Sequence, residues 1–245
     1  MYQERTYRKR HAMAAPRRWQ VMVAETDLWI TSDQDRTEAA AEWVKVLRGQ
    51  VTEAEEAHPG FLSTLEPLPG ESAVPLIRSM LRAAELAGVG PMAAVAGAIA
   101  QAVGEALRAS GCGRELCVEN GGDIYMDSST DRTILIHAGP SPLSERVGIR
   151  LRQDQFPLGI CTSAGTVGHS LSFGRADAAV ILARDAALAD AVATAAGNRL
   201  KTPEDLEETL AFVGSIPGIL GCVLIIGEHL GAWGDLELVP VEEAP

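Results

Sequence analysis

The stretch Leu158–Leu200, LGICTSAGTVGHSLSFGRADAAVILARDAALADAVATAAGNRL, decides how the rest of the chain is read. An apolar run ending at Cys161 passes into a loop of glycine and short hydroxyl residues that carries His169. A second apolar run, Ala178 to Ala183, leads into an alanine-rich helix. Thr162, Ser163, Gly165, Thr166, Gly168 and Ser170 are all short, so a ligand's phosphates can approach the backbone N–H groups closely. Neither GxxxxGK[ST] nor a GxGxxG opening a helix is present. A plain glycine-rich turn between strands therefore stands beside the anion-binding reading.

In the helix that follows, Asp185 is placed to cap the start and Gly197 to end it, while Asp190 and Thr194 lie four apart on one face. Two oxygen ligands a turn apart suit a hard cation such as Mg2+, which takes one or two protein groups and completes its shell with water and phosphate. The competing reading is a solvated polar stripe, with the threonine bonded back to the preceding turn.

A chain of 245 residues suffices for one domain with a sizeable core, or for two intimately packed halves with a boundary near residues 60–75. The net charge of −12 argues against nucleic acid as partner, because such binding neutralises phosphates with Lys and Arg. Basic residues crowd the start (Arg5, Arg8, Lys9, Arg10, Arg17, Arg18), but Glu25 and Asp27 interrupt the apolar run after Val21, so no signal peptide is read there. No stretch is long and apolar enough to span a bilayer, and a cytoplasmic location with no membrane partner is expected. The four cysteines, Cys112, Cys117, Cys161 and Cys222, show no C-x₂-C pair, so reduced thiols are expected, with Cys161 the best placed for chemistry.

Outward from the central stretch, Trp19, Val21 and Val23 alternate and Leu28–Ile30 follows a turn, which predicts a hairpin. A helix is predicted from Asp35 with Ala39, Trp43, Val46 and Leu47 on its apolar side, ended or weakened at Gly49. The acidic, proline-rich segment to Gly70 reads as a connection. Ser72 to Leu86 and Pro91 to Ala109 read as helices, the second rich in small residues. Leu116–Val118, Ile124–Met126, Ile134–Ile136 and Val147–Leu151 read as strands. Asn120-Gly121-Gly122-Asp123 is either a tight hairpin turn or a place where bare backbone and Asp123 meet a ligand. Thr202–Asp205 opens a last helix, and Leu220–Gly227 and Leu236–Val239 close the chain, with His229 in a loop between them.

Four pieces, GAIAQAVGEAL from Gly97, ENGGDIYM from Glu119, CTSAGTVGH from Cys161 and ALADAVATA from Ala187, resemble the ApbE-like superfamily in sequence and in order. Its characterised members are FAD:protein FMN transferases. The text between the pieces is closest to a UPF-designated branch of that superfamily, for which the resemblance implies a fold and no settled activity. The implied fold is α/β (α+β), with helices packed on mixed or antiparallel sheets and a site in a central cleft.

By position, the resemblance implies magnesium at Asp190, Thr194 and the Ala100 carbonyl, a catalytic role for His169 and a flavin contact at Asp123; joined to the reading of the two loops, this gives catalytic residues His169 and Asp123 and a cofactor-binding set of Asn120, Gly121, Gly122, Asp123, Thr162, Ser163, Gly165 and Thr166. The implied ligand is FAD, the implied partner an acceptor protein bearing a threonine, with a homodimer left open. Two departures stand out: Ser170–Gly174 replaces the family's Asp-Pro and Thr-Gly, and Gln101 occupies the place of a lysine. A magnesium-dependent FMN transferase, an FAD pyrophosphate-cleaving enzyme and a flavin- or metabolite-binding protein without turnover all remain open.

Overall fold

The computed structural model describes residues 17–165 and 174–241. The predicted hairpin is present: β1 (Arg17–Val23) pairs antiparallel with β2 (Thr26–Ser32). α1 (Thr37–Ala57) passes straight through Gly49, so of the two expectations there, an end or a weakening, the end is overturned. A glycine inside a helix costs only about 1 kcal/mol relative to alanine, and this one lies in open space within a long, well-packed helix. The buried face of α1 is Ala40, Val44, Leu47, Val51 and Ala54, which leaves Trp43 and Val46 exposed at 45% and 50%. The expected apolar face is therefore corrected by a rotation. Its alternating spacings of four and three put mostly small and branched side chains against β1, α2 and α3 and keep the bulky indole outside.

α2 (Pro75–Ala87) starts with proline in its first turn and ends at Gly88, whose φ of 71° is a left-handed cap. A short 3₁₀ turn, Pro91–Ala94, precedes α3 (Val95–Ala109). β3 (Leu116–Asn120) and β4 (Asp123–Asp127) form the next hairpin, with Asn120 paired to Asp123 and both Gly121 and Gly122 at positive φ (72° and 114°). The chain then leaves the main sheet to make β5 (Arg132–Leu135) and β6 (Val147–Leu151), and returns as β7 (Leu158–Ser163) and β8 (Ala178–Ala183). α4 (Ala186–Arg199) runs two residues beyond Gly197, the residue expected to end it. α5 (Leu206–Ser215) follows, then β9 (Ile219–Ile226), β10 (His229–Gly234) and β11 (Glu237–Pro240). β10 corrects the sequence reading, which left His229 in a loop. It is an exposed edge strand of Gly, Ala and Trp, without the apolar alternation that marks a half-buried one.

Every strand pairing is antiparallel among the described residues. One eight-stranded sheet has the order β1-β2-β3-β4-β7-β8-β9-β10, and a three-stranded sheet has the order β11-β6-β5. Alternation along each central strand feeds two cores. Tyr125, Cys161, Ala179 and Ile181 face the helices, while Ile124, Met126, Leu158, Ile160 and Val180 face the small sheet. α4 is the centre of the helical layer, packed on β7 and β8 below and on α2 and α3 beside it, and nearly all of it is buried. A solvated stripe on α4 is thereby ruled out for Asp190, which is only 8% exposed.

Candidate functional site

The site is built on the first two turns of α4. Asp185 caps that helix, accepting the N–H of Ala187 at 2.9 Å and of Leu188 at 3.3 Å, and is itself held by Ser79 Oγ from α2. Gln101 Oε1 accepts the N–H of Ala186 at 2.7 Å, and Cys161 Sγ donates to the Ala186 carbonyl at 3.4 Å. A glutamine does here what a lysine cannot, since ammonium has no acceptor. With its start pinned from α2, α3 and β7, α4 delivers Asp190 one turn later to the beginning of α3.

There the carboxylate meets helix donors. Asp190 Oδ2 accepts the N–H of Gly97 at 2.9 Å, and the Ala96 N–H acts on it as well. These amides belong to the first turn of α3, where N–H groups have no partner inside the helix and the dipole favours negative charge. From the other side comes the β3–β4 turn. Asn120 Nδ2 donates to the Ala96 carbonyl at 3.1 Å, Glu119 Oε1 accepts the Gly122 N–H at 3.2 Å, and Asp123 Oδ1 accepts the Thr162 N–H at 3.3 Å. Asp123 shares the helix-facing side of β4 with Tyr125 and is 8% exposed.

The electrostatics show that these groups converge. Burial, and next the charge of Asp123, push the Asp190 carboxyl well above the usual carboxylate range, against the two α3 amides that favour ionisation. Burial, then Asp123 and Asp190, push the Cys161 thiol up as well. Cys161 is therefore a neutral, buried thiol lodged between the two acids, which corrects its standing as the cysteine best placed for chemistry.

The remaining predicted residues divide. Thr194 lies one turn beyond Asp190 and is half-buried. Thr162 offers its backbone N–H to the site, while its side chain shares the small-sheet face with Leu158 and Ile160. Ser163 lies against Gly197 of α4, and the Gly165 N–H is taken by the Ala176 carbonyl at 2.8 Å. Ala100 is fully buried inside α3, where a carbonyl ordinarily accepts from the residue four further on. The α3 atoms that meet Asp190 and Asn120 come from Ala96 and Gly97, one turn earlier. His169, Thr166, Gly168 and Ser170 lie outside the described residues.

Asp190 and Asp123 are the buried carboxylates that could hold a hard cation such as magnesium, with the Thr194 hydroxyl one turn further along α4. Among the described residues no group of three or more His, Cys, Asp or Glu is placed to hold a metal ion by itself. The sequence missed Gly97 and Glu119 as parts of this place. Their only signal was position, in the text adjoining GAIA and GGD.

A family model described as AbpE bacteria matches residues 10–211. The chain belongs to that family. Two relatives, each named UPF0280 protein, place this AbpE-family chain in the UPF branch of the ApbE-like superfamily. One, from Methanosarcina acetivorans, is 40% identical over 223 residues, covering 90% of this chain and 87% of the relative. The other, from Methanoculleus marisnigri, is 42% identical over 212 residues, covering 84% of each. Flavin transferase ApbE from Vibrio cholerae has the same fold, with a TM-score of 0.59 at 12% identity over 88% of this chain and 96% of that one. Pseudomonas stutzeri flavinyl transferase ApbE gives 0.56 at 12% identity over 89% and 93%.

Proposed function

We propose that this chain binds a flavin nucleotide, FAD, at its pyrophosphate through a magnesium ion held by Asp190, Asp123 and Thr194. The observation that carries the reading is that two buried carboxylates, Asp123 and Asp190, lie close enough to act on each other, with Asp190 held by the first turn of α3. The fold shared with proteins named flavin transferases supports the choice of ligand. Bound magnesium supplies charge neutralisation at the phosphates.

Asp190 and Asp123 provide the negative charge that attracts the cation, and the α3 amides fix the orientation of Asp190. The Gly121-Gly122 turn lets backbone come close to the nucleotide. In the transfer reaction, a threonine hydroxyl of an acceptor protein attacks the FMN phosphorus, the bond to the AMP oxygen breaks, and His169 takes the hydroxyl proton. With water as attacker, the same residues cleave FAD to FMN and AMP.

A second reading, a module that holds the flavin without cleaving it, draws on Gln101: the position that the resemblance gives to a lysine is neutral and committed to Ala186 and Glu105. One experiment separates the two. Purified protein is incubated with FAD and magnesium, with AMP followed by chromatography and binding by thermal shift. AMP release that disappears in Asp190→Asn supports the enzyme, and stabilisation by FAD without AMP supports the module. Absence of any magnesium-dependent response to FAD rejects both.

A further inference from the structure

We infer that Asn120 is a positioning residue, which sets the geometry of the two acids by fastening the Gly-Gly-Asp turn to the first turn of α3. The inference rests on the proposed cation site and deepens it. Asp190 and Asn120 reach the same peptide segment from opposite sides. Asp190 Oδ2 takes the Gly97 N–H at 2.9 Å, and Asn120 Nδ2 gives a hydrogen bond to the Ala96 carbonyl at 3.1 Å. The segment Ala96–Gly97 is thus a common anchor for a helix and a hairpin that are otherwise distant in sequence.

Asn120 and Asp123 are register partners across the turn, so holding one holds the other. Both intervening glycines have positive φ and no side chain with which to stiffen the turn. Glu119 fastens the turn internally, through the Gly122 N–H, and Asn120 ties it to α3. Asn120 therefore acts on the separation of Asp123 and Asp190, on which a shared cation depends, from the α3 side, while the Thr162 N–H holds Asp123 from β7. Groups that orient metal ligands without touching the metal typically change affinity by about 10–100-fold when removed.

The test measures magnesium binding by calorimetry, and Mn2+ binding by spin resonance, for wild type, Asn120→Ala, Asn120→Asp and Asp190→Asn. Native-state hydrogen exchange at Gly97 and Ala98 is followed alongside. Asp190→Asn should lose cation binding. Asn120→Ala should weaken it by about 10-fold or more, with faster exchange at the start of α3 and a far-UV spectrum unchanged. Asn120→Asp, whose carboxylate faces the Ala96 carbonyl without a proton to donate, should resemble the alanine variant rather than strengthen binding as an added ligand would. Wild-type cation affinity in folded Asn120→Ala, or tighter binding in Asn120→Asp, overturns the positioning role while leaving the cation site intact. Undiminished binding in Asp190→Asn overturns the cation site itself and this role with it. If Asn120→Ala does not fold, Asn120→Asp decides by the same readings.

Discussion

Gly97 of α3 lies directly against Ala186, the first residue of α4, so closely that a β-carbon on Gly97 would overlap the Ala186 carbonyl and sit 2.9 Å from the Asp190 β-carbon. A methyl group there would have no flexible side chain to push aside, because the obstacle is backbone. Gly97→Ala should therefore lower stability by about 1–3 kcal/mol, the usual cost of overpacking a core. It should also move α4 away from α3, weakening any cation response at Asp190. Urea unfolding compared with wild type checks the first effect. A variant as stable as wild type would show that the helices are not in this contact.

Asp190 makes stability depend on pH in an unusual direction. Its carboxyl is raised on folding above the ordinary 3.8. A raised group contributes stability that is fully present below its unfolded value and is lost as the pH climbs through the native one. Metal-free protein should accordingly lose stability relative to Asp190→Asn as the pH rises from about 4 towards neutrality. Magnesium should reverse the order, since metal binding requires the ionised carboxylate and strengthens with pH. Urea midpoints of both proteins in chelator and in magnesium, across that range, read both effects. A wild-type protein that gains on the variant with rising pH in chelator would contradict the burial of this acid.

Much of this is legible in the sequence alone. The bounds of β6 and β8 are those of the apolar runs Val147–Leu151 and Ala178–Ala183, and Asp185 caps α4 as its place before the alanine run indicates. These elements are set by local pattern. α1 was misread at its face and its end because Trp43 and Gly49 carry strong local preferences that its packing against β1, α2 and α3 overrides. β10 was missed because an edge strand need not bury alternate residues. In the site, the resemblance singled out Asp123 and Asp190. That Asp190 meets the first turn of α3, where Asn120 also arrives, was not legible, because Gly97 and Asp190 lie 93 residues apart and an absent side chain leaves no mark of what it admits.

The thiols offer a simple check on the core. Burial pushes the Cys222 thiol up to about 12, and Cys161 is pushed well above its ordinary value by burial and two acids. Since the thiolate is the reactive form, neither should react appreciably with a disulfide reagent at neutral pH in the native protein, and both should react at once on unfolding. Peptide mapping after labelling with and without denaturant assigns each site. Rapid native labelling of Cys161 would mean that the space between Asp123 and Asp190 is open to reagent.

The far end of β4 carries a third buried acid with a different task. Asp127 is fully buried and forms an ion pair with Arg108 of α3, with Arg114 Nη2 a further 3.8 Å contact. Asp127 and Asp123 end the same strand on the same face, but Asp127 has guanidinium partners, whereas burial and Asp123 leave Asp190 raised. Arg108 and Arg114 are 38% and 54% exposed, so water screens the pair and compensates them when the carboxylate is removed. Asp127→Asn should thus cost about 1–3 kcal/mol, less than breaking a wholly buried pair, and part of that loss should disappear in high salt because both guanidinium groups reach solvent. Cation binding at Asp190 should be unaffected, since the pair holds α3 at its second half rather than its first turn. Thermal unfolding at low and high salt, with magnesium calorimetry on the same sample, tests both halves; a variant that keeps full stability but loses magnesium binding would reverse the roles assigned to the two ends of β4.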